Sequence, residues 1–380
     1  MSASRPRLAI LTNMVAPYRV PLYEALATAF DVTILYSGHE PNRAAWAGTE
    51  RRVRGARVER AWGFALRLPA GTSRIECDTR LVHINPGLIT RLLRLRPHAV
   101  ISSEMGFRTL VACCYCALFR RPLWVHWGGT PHTERAVGAV RRAMRRLLAR
   151  VVPRWLSYGA TSTDYLRSLG VPVERVLELQ NCVDESLFER RAPRAVELRP
   201  RPVVLYAGQL IRRKGVDLLL EAAAALQHAG REFTLLLVGD GPERARLERR
   251  AAELRLRNVV FRPAAAPEEM GAVYRAADAL VLPTLADPWG LVVNEALWSG
   301  LPVLASVYAG CATELLPPGA VFDPLDPLDF REKLRAAVDG QLPAPDRSCL
   351  RRAVDVARAV VDDVGVALAR PRRAALALAS

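Results

Sequence analysis

The sequence predicts an α/β protein built from two doubly wound domains that face a central cleft. Its 380 residues exceed twice the typical domain length of about 150 residues, so two domains are expected. Short apolar runs alternate with longer amphipathic patterns, which is typical of parallel βα units. The runs are apolar almost throughout rather than alternating, which indicates sheets covered by helices on both faces.

The apolar runs fall into two series separated by a segment rich in proline and charge. The first series is 8–11, 32–36, 99–102 and 123–127, and the second is 203–207, 233–238, 259–261, 279–282 and 302–305. The segment between them has no hydrophobic periodicity. We therefore predict a first domain at 1–190, a linker at 191–202, a second domain at 203–355, and a terminal helix at 356–380 that packs back on the first domain.

Charge is distributed unevenly between the halves. The chain has a net charge of +16, and residues 1–200 carry 31 basic and 16 acidic side chains against 23 and 22 in residues 201–380. This asymmetry suggests that the first half faces nucleic acid, an anionic membrane or phosphorylated molecules. Since only Lys214 and Lys333 are lysines, coding bias toward arginine is the competing explanation. An apolar share of 51% excludes a disordered chain.

Cysteine usage and hydropathy give an expectation about the compartment. Of seven cysteines, Cys113 and Cys116 form a C-x-x-C inside an apolar run, which favours buried thiols over a redox or zinc site. Neither a secretory leader nor an apolar stretch of about 20 residues is visible in the sequence. We therefore expect a cytoplasmic protein, with any membrane contact peripheral and at the inner face of the cytoplasmic membrane.

Two glycine-containing loops follow strands of the second series. The first, GQLIRRKG at 208–215, precedes an amphipathic helix; its glycines permit close backbone approach, and its cations suit a diphosphate at a helix N-terminus. A solvated charge cluster is the alternative. The second, GDGP at 239–242, carries only a lone G-x-G, which is weak as a nucleotide motif and fits a structural turn bordering the cleft better.

The most informative constellation is DPWGLVVNEALWSGLPV at 287–303. Asp287 precedes a predicted helix start and Glu295 lies inside the helix, so two carboxylates flank the free backbone amides of 290–292. Amides suit phosphate, whereas carboxylates accept hydrogen bonds from adjacent sugar hydroxyls. The segment therefore predicts a site for a sugar joined to a phosphate, with simple stabilisation of the helix dipole as the alternative.

These motifs resemble the retaining GT-B glycosyltransferases of family 4. The segment NMVAPYRVPLYE at 13–24 is similar to the first loop of a polysaccharide-assembling branch of that family. Looser similarity runs through 161–171 and 180–184 to Gly310 and Glu314, so the resemblance covers nearly the whole chain. It implies that the second domain binds a nucleotide-sugar and that the first presents an acceptor.

The resemblance also assigns roles, with some departures from the family pattern. Glu295 would bind the ribose and Asp287, in place of the usual glutamate, a sugar hydroxyl. Gln209 stands where the family has arginine, so Arg212 or Arg213 would join Lys214 on the diphosphate. The implied catalytic residues are His126, Lys214, Asp287 and Glu295. The implied donor-binding residues are Gln209, Arg212, Arg213, Lys214, Gly239, Gly241, Asp287, Trp289, Gly290, Leu291, Val292 and Glu295. The implied acceptor-side residues are Tyr18, Arg19, Gly128 and Gly129.

The resulting hypothesis is a hexosyltransferase that uses a UDP- or GDP-linked sugar with retention, on a glycan or lipid-linked acceptor, in cell-surface polysaccharide or glycolipid synthesis. No D-x-D motif is present, so we expect neither metal nor cofactor. The alternatives are a nucleotide-sugar 2-epimerase, an inactive glycan-binding homologue, and a basic nucleic-acid-binding protein. The last lacks a recognisable nucleic-acid module, and we expect no nucleic-acid partner.

A basic amphipathic helix is predicted within 135–150 and could lie on an anionic membrane. Its predicted apolar stripe holds Val137, Val140, Met144, Leu147 and Leu148. Its predicted basic side holds Arg142, Arg145, Arg146 and Arg150, with Arg141 at the edge of the stripe. Packing of that stripe against its own domain is the alternative, and both arrangements are compatible if the arginines face the lipid.

Overall fold

The computed structural model describes residues 4–38, 46–68, 80–189 and 197–369. Within these ranges the chain forms two parallel sheets and one short antiparallel hairpin, surrounded by helices. Part of the predicted linker, 191–196, and the end of the predicted terminal helix, 370–380, lie outside the described residues. No helix in the described ranges has the length and apolarity needed to cross a bilayer.

The elements alternate between strand and helix along most of the chain. The strands are β1 (Arg7–Thr12), β2 (Asp31–Tyr36), β3 (Arg57–Arg60), β4 (Phe64–Leu68), β5 (Arg80–Ile84), β6 (Ala99–Ser103), β7 (Leu123–Trp127), β8 (Arg154–Ser157), β9 (Val176–Glu178), β10 (Val203–Ala207), β11 (Thr234–Val238), β12 (Val259–Arg262), β13 (Ala279–Leu282), β14 (Val303–Ser306) and β15 (Val321–Phe322). The helices are α1 (Val20–Ala29), α2 (Gly87–Leu95), α3 (Phe107–Phe119), α4 (Pro131–Glu134), α5 (Ala139–Val151), α6 (Ala160–Ser168), α7 (Ser186–Glu189), α8 (Val216–His228), α9 (Arg244–Glu253), α10 (Pro267–Ala276), α11 (Leu291–Trp298), α12 (Ala312–Leu315), α13 (Pro327–Val338) and α14 (Ala353–Ala369).

The first sheet has the strand order β3-β2-β1-β6-β7-β8-β9. Its interior strand β1 pairs in parallel with β2 on one side and β6 on the other, with Leu8 opposite both Val32 and Ala99. Alternate residues of β1 enter different cores, Ile10 on one face and Leu11 on the other. Since both faces are buried, the strand is apolar throughout, as the sequence predicts.

The second sheet has the order β12-β11-β10-β13-β14-β15, with all pairs parallel. In sequence order this is the 3-2-1-4-5-6 arrangement of a doubly wound fold, and the direction of winding reverses between β10 and β13. Ligands of open α/β sheets bind outside the carboxyl ends of the strands at this switch point. The loops that follow β10 and β13 are therefore where a ligand is expected.

The last described helix returns to the first half of the chain. Val356, Val360 and Val364 of α14 lie in the same buried cluster as Tyr23 and Leu26 of α1. The helix begins three residues earlier than the predicted 356. This packing places the last described helix against the first half, so the chain passes between the two halves twice.

The carboxyl edges of the two sheets contact each other. Thr161, just beyond β8, donates a hydrogen bond to the carbonyl oxygen of Gly310 at 3.0 Å, and the amide of Ala160 donates to Glu314 Oε2 at 3.0 Å. Arg135 Nη2 donates to the carbonyl oxygen of Leu285 at 3.1 Å. The ends of both sheets thus face one another, which confirms the predicted fold class.

Candidate active site

The loops that follow β10 and β13 are joined at the switch point of the second sheet. Gly215 has a φ of 64° at the start of α8, and a Cβ there would overlap the carbonyl oxygen of Pro283. The amide of Leu285 donates to the carbonyl oxygen of Arg213 at 2.8 Å. Only glycine fits at 215, both for its backbone conformation and for this close approach. The two loops therefore form one continuous wall.

Lys214 and Asp287 form an ion pair in this wall, and both side chains are largely buried. Burial by itself would raise the pKa of Asp287, but the charges of Lys214 and Arg213 outweigh it and hold that pKa below its ordinary value. The carboxylate is therefore ionised at neutral pH. Arg213 also donates to the carbonyl oxygen of Ala286. Arg212 has an exposed side chain 3.4 Å from Glu243, so two of the three loop cations, Arg213 and Lys214, contact the loop after β13.

The N-terminus of α11 adds backbone donors beside this pair. Gly290 caps the helix in the left-handed region at a φ of 102°. Leu291 and Val292 are the first helical residues, so their amides have no acceptor inside the helix and lie at its positive end. The amide of Trp289 donates to Asp287 Oδ1 at 3.2 Å. Cations and helix amides together make this corner suited to a phosphate group.

Glu295 lies one turn into α11. Its carboxylate accepts a hydrogen bond from the hydroxyl of Tyr274, on α10, at 2.6 Å. Burial raises the pKa of Glu295 to about 7, against the lowering effect of the Tyr274 bond. Asp287 and Glu295 thus differ in their charge state at neutral pH: one is held ionised by cations, whereas the other is poised between its two forms.

Trp289 differs from its predicted donor-binding role. Its side chain is 2% exposed and belongs to the core of the second half. The indole N–H donates to Asn294 Oδ1 at 2.8 Å. Since the ring is enclosed and its single donor is used, this side chain supports the loop from behind, and only its backbone amide reaches the site.

Gly239 and Gly241 hold two loops together. A Cβ at Gly239 would overlap the carbonyl oxygen of Gly208, and one at Gly241 would overlap that of Leu210. Gln209 lies between those contacts, and its carbonyl oxygen accepts a hydrogen bond from Tyr206 at 2.7 Å. Close backbone packing at this edge of the sheet explains why both positions are glycine. Their predicted contact with a donor stays a prediction.

A second polar cluster lies at the carboxyl edge of the first sheet. Arg19 follows β1, His126 lies near the end of β7, and Tyr158 directly follows β8. Arg19 Nη1 lies 2.7 Å from His126 Nδ1, and Nη2 donates to the Tyr158 hydroxyl. Gly159, next in the chain, has no room for a Cβ because Trp289 and Glu314 fill that space. This cluster therefore borders the loop after β13, which contains Trp289.

The arginine fixes the tautomer of His126. Burial and the charge of Arg19 hold the pKa of His126 well below its ordinary value, so the ring is neutral. Because a guanidinium only donates, Nδ1 must accept and the proton is assigned to Nε2. His126 therefore presents an N–H donor rather than a base.

The remaining acceptor-side predictions also lie at this edge. Gly128 passes against the ring of Tyr158 and Gly129 against the ring of Trp127, and a Cβ at either position would overlap that ring. Tyr18 packs edge-to-face on Trp46 with ring centroids 5.8 Å apart. Both positions must therefore be glycine, because an aromatic ring packs against each of them. Tyr18 lies in the loop after β1.

Comparison with known proteins identifies the family. The sequence model described as glycosyl transferases group 1 matches residues 189–353. The MMP alpha-(1->4)-mannosyltransferase of Mycolicibacterium hassiacum is 30% identical over 302 residues, which cover 78% of this chain and 69% of that protein. The chain belongs to the glycosyl transferases group 1. This glycosyl transferase is also 34% identical to the 2-deoxystreptamine glucosyltransferase of Streptomyces kanamyceticus over 155 residues. The match covers 38% of this chain and 40% of that relative.

Solved structures identify the fold of this glycosyl transferase as GT-B. The crystal structure of Anabaena HepE in complex with UDP and glucose superposes with a TM-score of 0.65 and 16% identity, covering 98% of this chain and 99% of HepE. WaaG, a glycosyltransferase involved in lipopolysaccharide biosynthesis, superposes with a TM-score of 0.58 and 16% identity over 93% of this chain and 95% of WaaG. At these identities the likeness concerns the fold.

Sequence reasoning missed two tyrosines of this glycosyl transferase site. Tyr274 supports Glu295 from a neighbouring helix, and Tyr158 joins Arg19 to the loop that contacts Trp289. Tyr274 gives no sequence signal, since an aromatic residue on a helix usually marks the core. Tyr158 follows a short apolar run at 155–156, and recognising that run as a strand would have placed the tyrosine at the edge.

Helix α5 of this glycosyl transferase differs from the predicted basic helix. Arg145, expected on the solvent side, is buried, forms an ion pair with Glu134 and lies over the ring of Trp127 at 5.2 Å. Val140 and Leu147, expected in the packed stripe, are 87% and 53% exposed. The helix is rotated relative to the prediction because the buried Glu134 and the face of Trp127 together stabilise an inward-facing guanidinium.

Proposed function

We propose that this protein transfers a hexose from a UDP- or GDP-linked sugar, with retention, to a glycan or lipid-linked acceptor in cell-surface polysaccharide or glycolipid synthesis. The observation that carries the proposal is the convergence of Lys214, Arg213 and the N-terminus of α11 at the switch point of the second sheet. Asp287 pairs with Lys214 in the loop before α11, and Glu295 lies one turn into that helix. Cations and helix amides suit a diphosphate, and the two carboxylates suit sugar hydroxyls.

In the proposed reaction the two carboxylates bind the donor, and the cations and helix amides stabilise charge. Glu295 accepts hydrogen bonds from the ribose, and Asp287 accepts one from the donor sugar. As the bond between the anomeric carbon and the diphosphate oxygen breaks, negative charge develops on the diphosphate, where Lys214, Arg213 and the α11 amides stabilise it. The acceptor oxygen bonds to the same face of the sugar, and its proton passes to the departing phosphate oxygen.

His126 contributes as a hydrogen-bond donor in this scheme. Its neutral ring and its proton on Nε2 suit a contact with a hydroxyl or phosphate oxygen of the donor, while Arg19 holds the ring in place through Nδ1. Lys214 and Arg213 supply fixed positive charge next to the α11 amides, so the reaction is proposed to proceed without a divalent cation.

A ligand and activity screen tests the proposal. UDP, GDP, ADP and dTDP, with their common sugar derivatives, are titrated in EDTA while thermal unfolding is followed; a ligand at about 100 times its Kd adds roughly 2.7 kcal/mol. Stabilisation by one nucleotide, and formation of an α-linked product from its α-linked sugar derivative, support the proposal. Conversion of the sugar without an acceptor would indicate an epimerase, and no response to any nucleotide would contradict the proposal.

We also propose that the protein acts at the inner face of the cytoplasmic membrane and that α5 contacts anionic lipid there. Val140, Leu147 and Val151 form an exposed apolar strip on this helix. The exposed arginines 142, 146 and 150 flank that strip on one side. Apolar residues next to arginines on one exposed helical face are typical of helices that lie in the membrane interface.

A further inference from the structure

Arg19 is a buried cation with neutral partners. Its side chain is enclosed, with the residue only 8% exposed. Its contacts are the neutral His126 ring, the Tyr158 hydroxyl, and the rings of Tyr18 and Tyr158 at 5.8 and 5.3 Å from the guanidinium carbon. Among the described residues, none of its contacts is an ion pair with a carboxylate.

The nearby carboxylate does not neutralise it. The charge of Glu104 acts on Tyr158 and helps to raise the pKa of that hydroxyl. However, Glu104 forms its own ion pair with Arg108 at 3.2 Å, and its side chain is largely exposed. Buried charges in proteins are normally paired, because the loss of hydration costs several kcal/mol per ion. A guanidinium left without a counter-ion at a sheet edge is therefore suited to an anion supplied by a ligand.

The position indicates which ligand supplies that anion. The diphosphate corner of the second half has its own cations, Lys214 and Arg213, while Arg19 lies on the facing edge with His126. A small cavity lies behind the pair, toward α1, and its other lining side chains are mainly apolar, such as Ile10, Leu22 and Leu26. An apolar lining disfavours an anion on that side, so we expect the anion on the side of the facing edges, where the acceptor of the proposed reaction would enter.

We propose that Arg19, held by His126 and Tyr158, binds an oxyanion of the acceptor, so that the acceptor carries a phosphate or a carboxylate near the hydroxyl that receives the sugar. The identification of the ligand as the acceptor rests on the proposed function, whereas the anion site itself does not depend on it. A planar guanidinium matches both oxyanions in geometry, since it donates two parallel hydrogen bonds.

The anion site is tested first with inorganic phosphate. A Lys214→Ala background weakens the diphosphate corner, and phosphate is titrated while thermal unfolding is followed. We expect phosphate to stabilise this variant, and addition of Arg19→Met to weaken phosphate binding by about tenfold to hundredfold, the usual effect of losing a charged hydrogen-bond donor. Arg54→Met, an exposed arginine of the same half, is the matched control and should leave binding unchanged.

A second variant covers the case in which Arg19→Met does not fold. Arg19→Lys keeps the charge but loses the paired donors, so phosphate affinity should still fall severalfold. Unchanged phosphate affinity in either folded variant would overturn the inference.

Acceptor preference provides the second test. With the nucleotide-sugar found by the screen, transfer is measured to glucose, glucose 6-phosphate and glucuronic acid; the last two separate a phosphate from a carboxylate. We expect KM for at least one charged acceptor to lie about tenfold or more below that for glucose. Arg19→Met should abolish the difference and should weaken nucleotide binding much less than Lys214→Ala does.

The outcomes separate this inference from the proposed function. If Arg19→Met weakens nucleotide binding as much as Lys214→Ala does, Arg19 serves the donor, and the inference is wrong while the proposed function stands. Equal transfer by the wild-type enzyme to all three acceptors would also overturn the inference and leave the proposed function standing. If no nucleotide binds but phosphate binding still depends on Arg19, the proposed function fails and the anion site stands.

Discussion

The two facing sheet edges hold their buried cations in different ways. In the second half, Lys214 is paired with Asp287, so the corner is compensated before any ligand arrives. In the first half, Arg19 is surrounded by neutral groups. The same contrast exists in composition, since residues 201–380 carry a net charge of +1 and residues 1–200 one of +15. A ligand at the second edge must exchange with an existing ion pair, whereas an anion at the first edge completes a pair.

Breaking the compensated pair should have the largest effect. Lys214→Ala removes charge stabilisation of the leaving group and should lower kcat by about 10² to 10³. It also leaves Asp287 buried without its lysine, which should cost about 3 kcal/mol or more of unfolding free energy. Steady-state kinetics and denaturant unfolding measure the two effects.

Lys333→Ala is the matched control for this change, because Lys333 is the other lysine of the chain and lies on α13. Stability loss equal to that of Lys333→Ala would show that the ion pair is not an energetic feature of the site. Asp287→Asn in the Lys214→Ala background should recover part of the lost stability, since it removes the unpaired charge.

The two sheet edges also differ in the space around their glycines. Gly239→Ala would drive a Cβ into the carbonyl oxygen of Gly208, with its φ at 153°, and should destabilise the protein by about 2 to 4 kcal/mol. Gly106, at the edge of the first sheet, has open space around its Cβ position. Gly106→Ala should stay within about 0.5 kcal/mol of wild type, and a similar loss in both variants would contradict the difference.

The pKa of Glu295 predicts how nucleotide affinity depends on pH. The ionised carboxylate is the better acceptor for ribose hydroxyls, so affinity should fall below pH 7, by up to about tenfold per pH unit. Calorimetric titrations from about pH 5.5 to 8.5 measure this. Glu295→Gln should bind more weakly with a flat profile, and a wild-type profile that is already flat would contradict the role given to Glu295.

The same group predicts the pH dependence of the unliganded protein. Its pKa is raised from 4.5 to about 7 on folding, so between these values the folded state holds a proton that the unfolded chain has released. The free energy of unfolding should therefore fall as pH rises through this window. Glu295→Gln should remove that part of the slope.

Helix α5 should give a smaller, salt-dependent effect. Replacing arginines 142, 146 and 150 by glutamine should reduce co-sedimentation with vesicles containing phosphatidylglycerol, at about 1 kcal/mol per charge. Replacing Val140 and Leu147 by serine should weaken it further. The control replaces three exposed arginines of the second half, 249, 255 and 331. Wild-type binding that does not change with ionic strength would contradict an electrostatic contact.

The smallest effect is expected at the rim between the halves. Arg52 and Glu268 form an ion pair at 3.0 Å, but more than half of each side chain is exposed. Solvent and salt screen such a pair, so Arg52→Gln should change the unfolding free energy by less than about 0.5 kcal/mol. A larger loss in chemical denaturation would show that rim contacts hold the halves together.

Much of the architecture follows from apolar runs and loop motifs. Strands buried on both faces, such as β1 and β10, give unbroken apolar sequences that are visible without a structure. The edge strand β3 was missed because three of its four residues, RVER, are charged and none of them is fully buried. The hairpin of β4 and β5 was also missed. It lies outside both parallel sheets, and Phe64 and Leu66 are exposed despite being apolar.

The loops of the candidate site were predictable where backbone geometry demands particular residues. Gly215 and Gly290 mark tight turns at helix starts, and the acidic positions 287 and 295 follow from their spacing. Side-chain pairing between distant segments was not predictable. Neither the ion pair of Arg145 with Glu134 nor the hydrogen bond of Tyr274 to Glu295 is encoded by local periodicity, because each depends on tertiary packing.

The most direct test is the affinity of the wild type and of Lys214→Ala for UDP and GDP, measured by calorimetry in EDTA. We expect one of the two nucleotides to bind the wild type without a divalent cation. Lys214→Ala should weaken this binding by about tenfold or more, whereas Lys333→Ala should not. Failure of wild type to bind either nucleotide, or equal binding by Lys214→Ala and wild type, would contradict the assignment of the second sheet edge as the donor site.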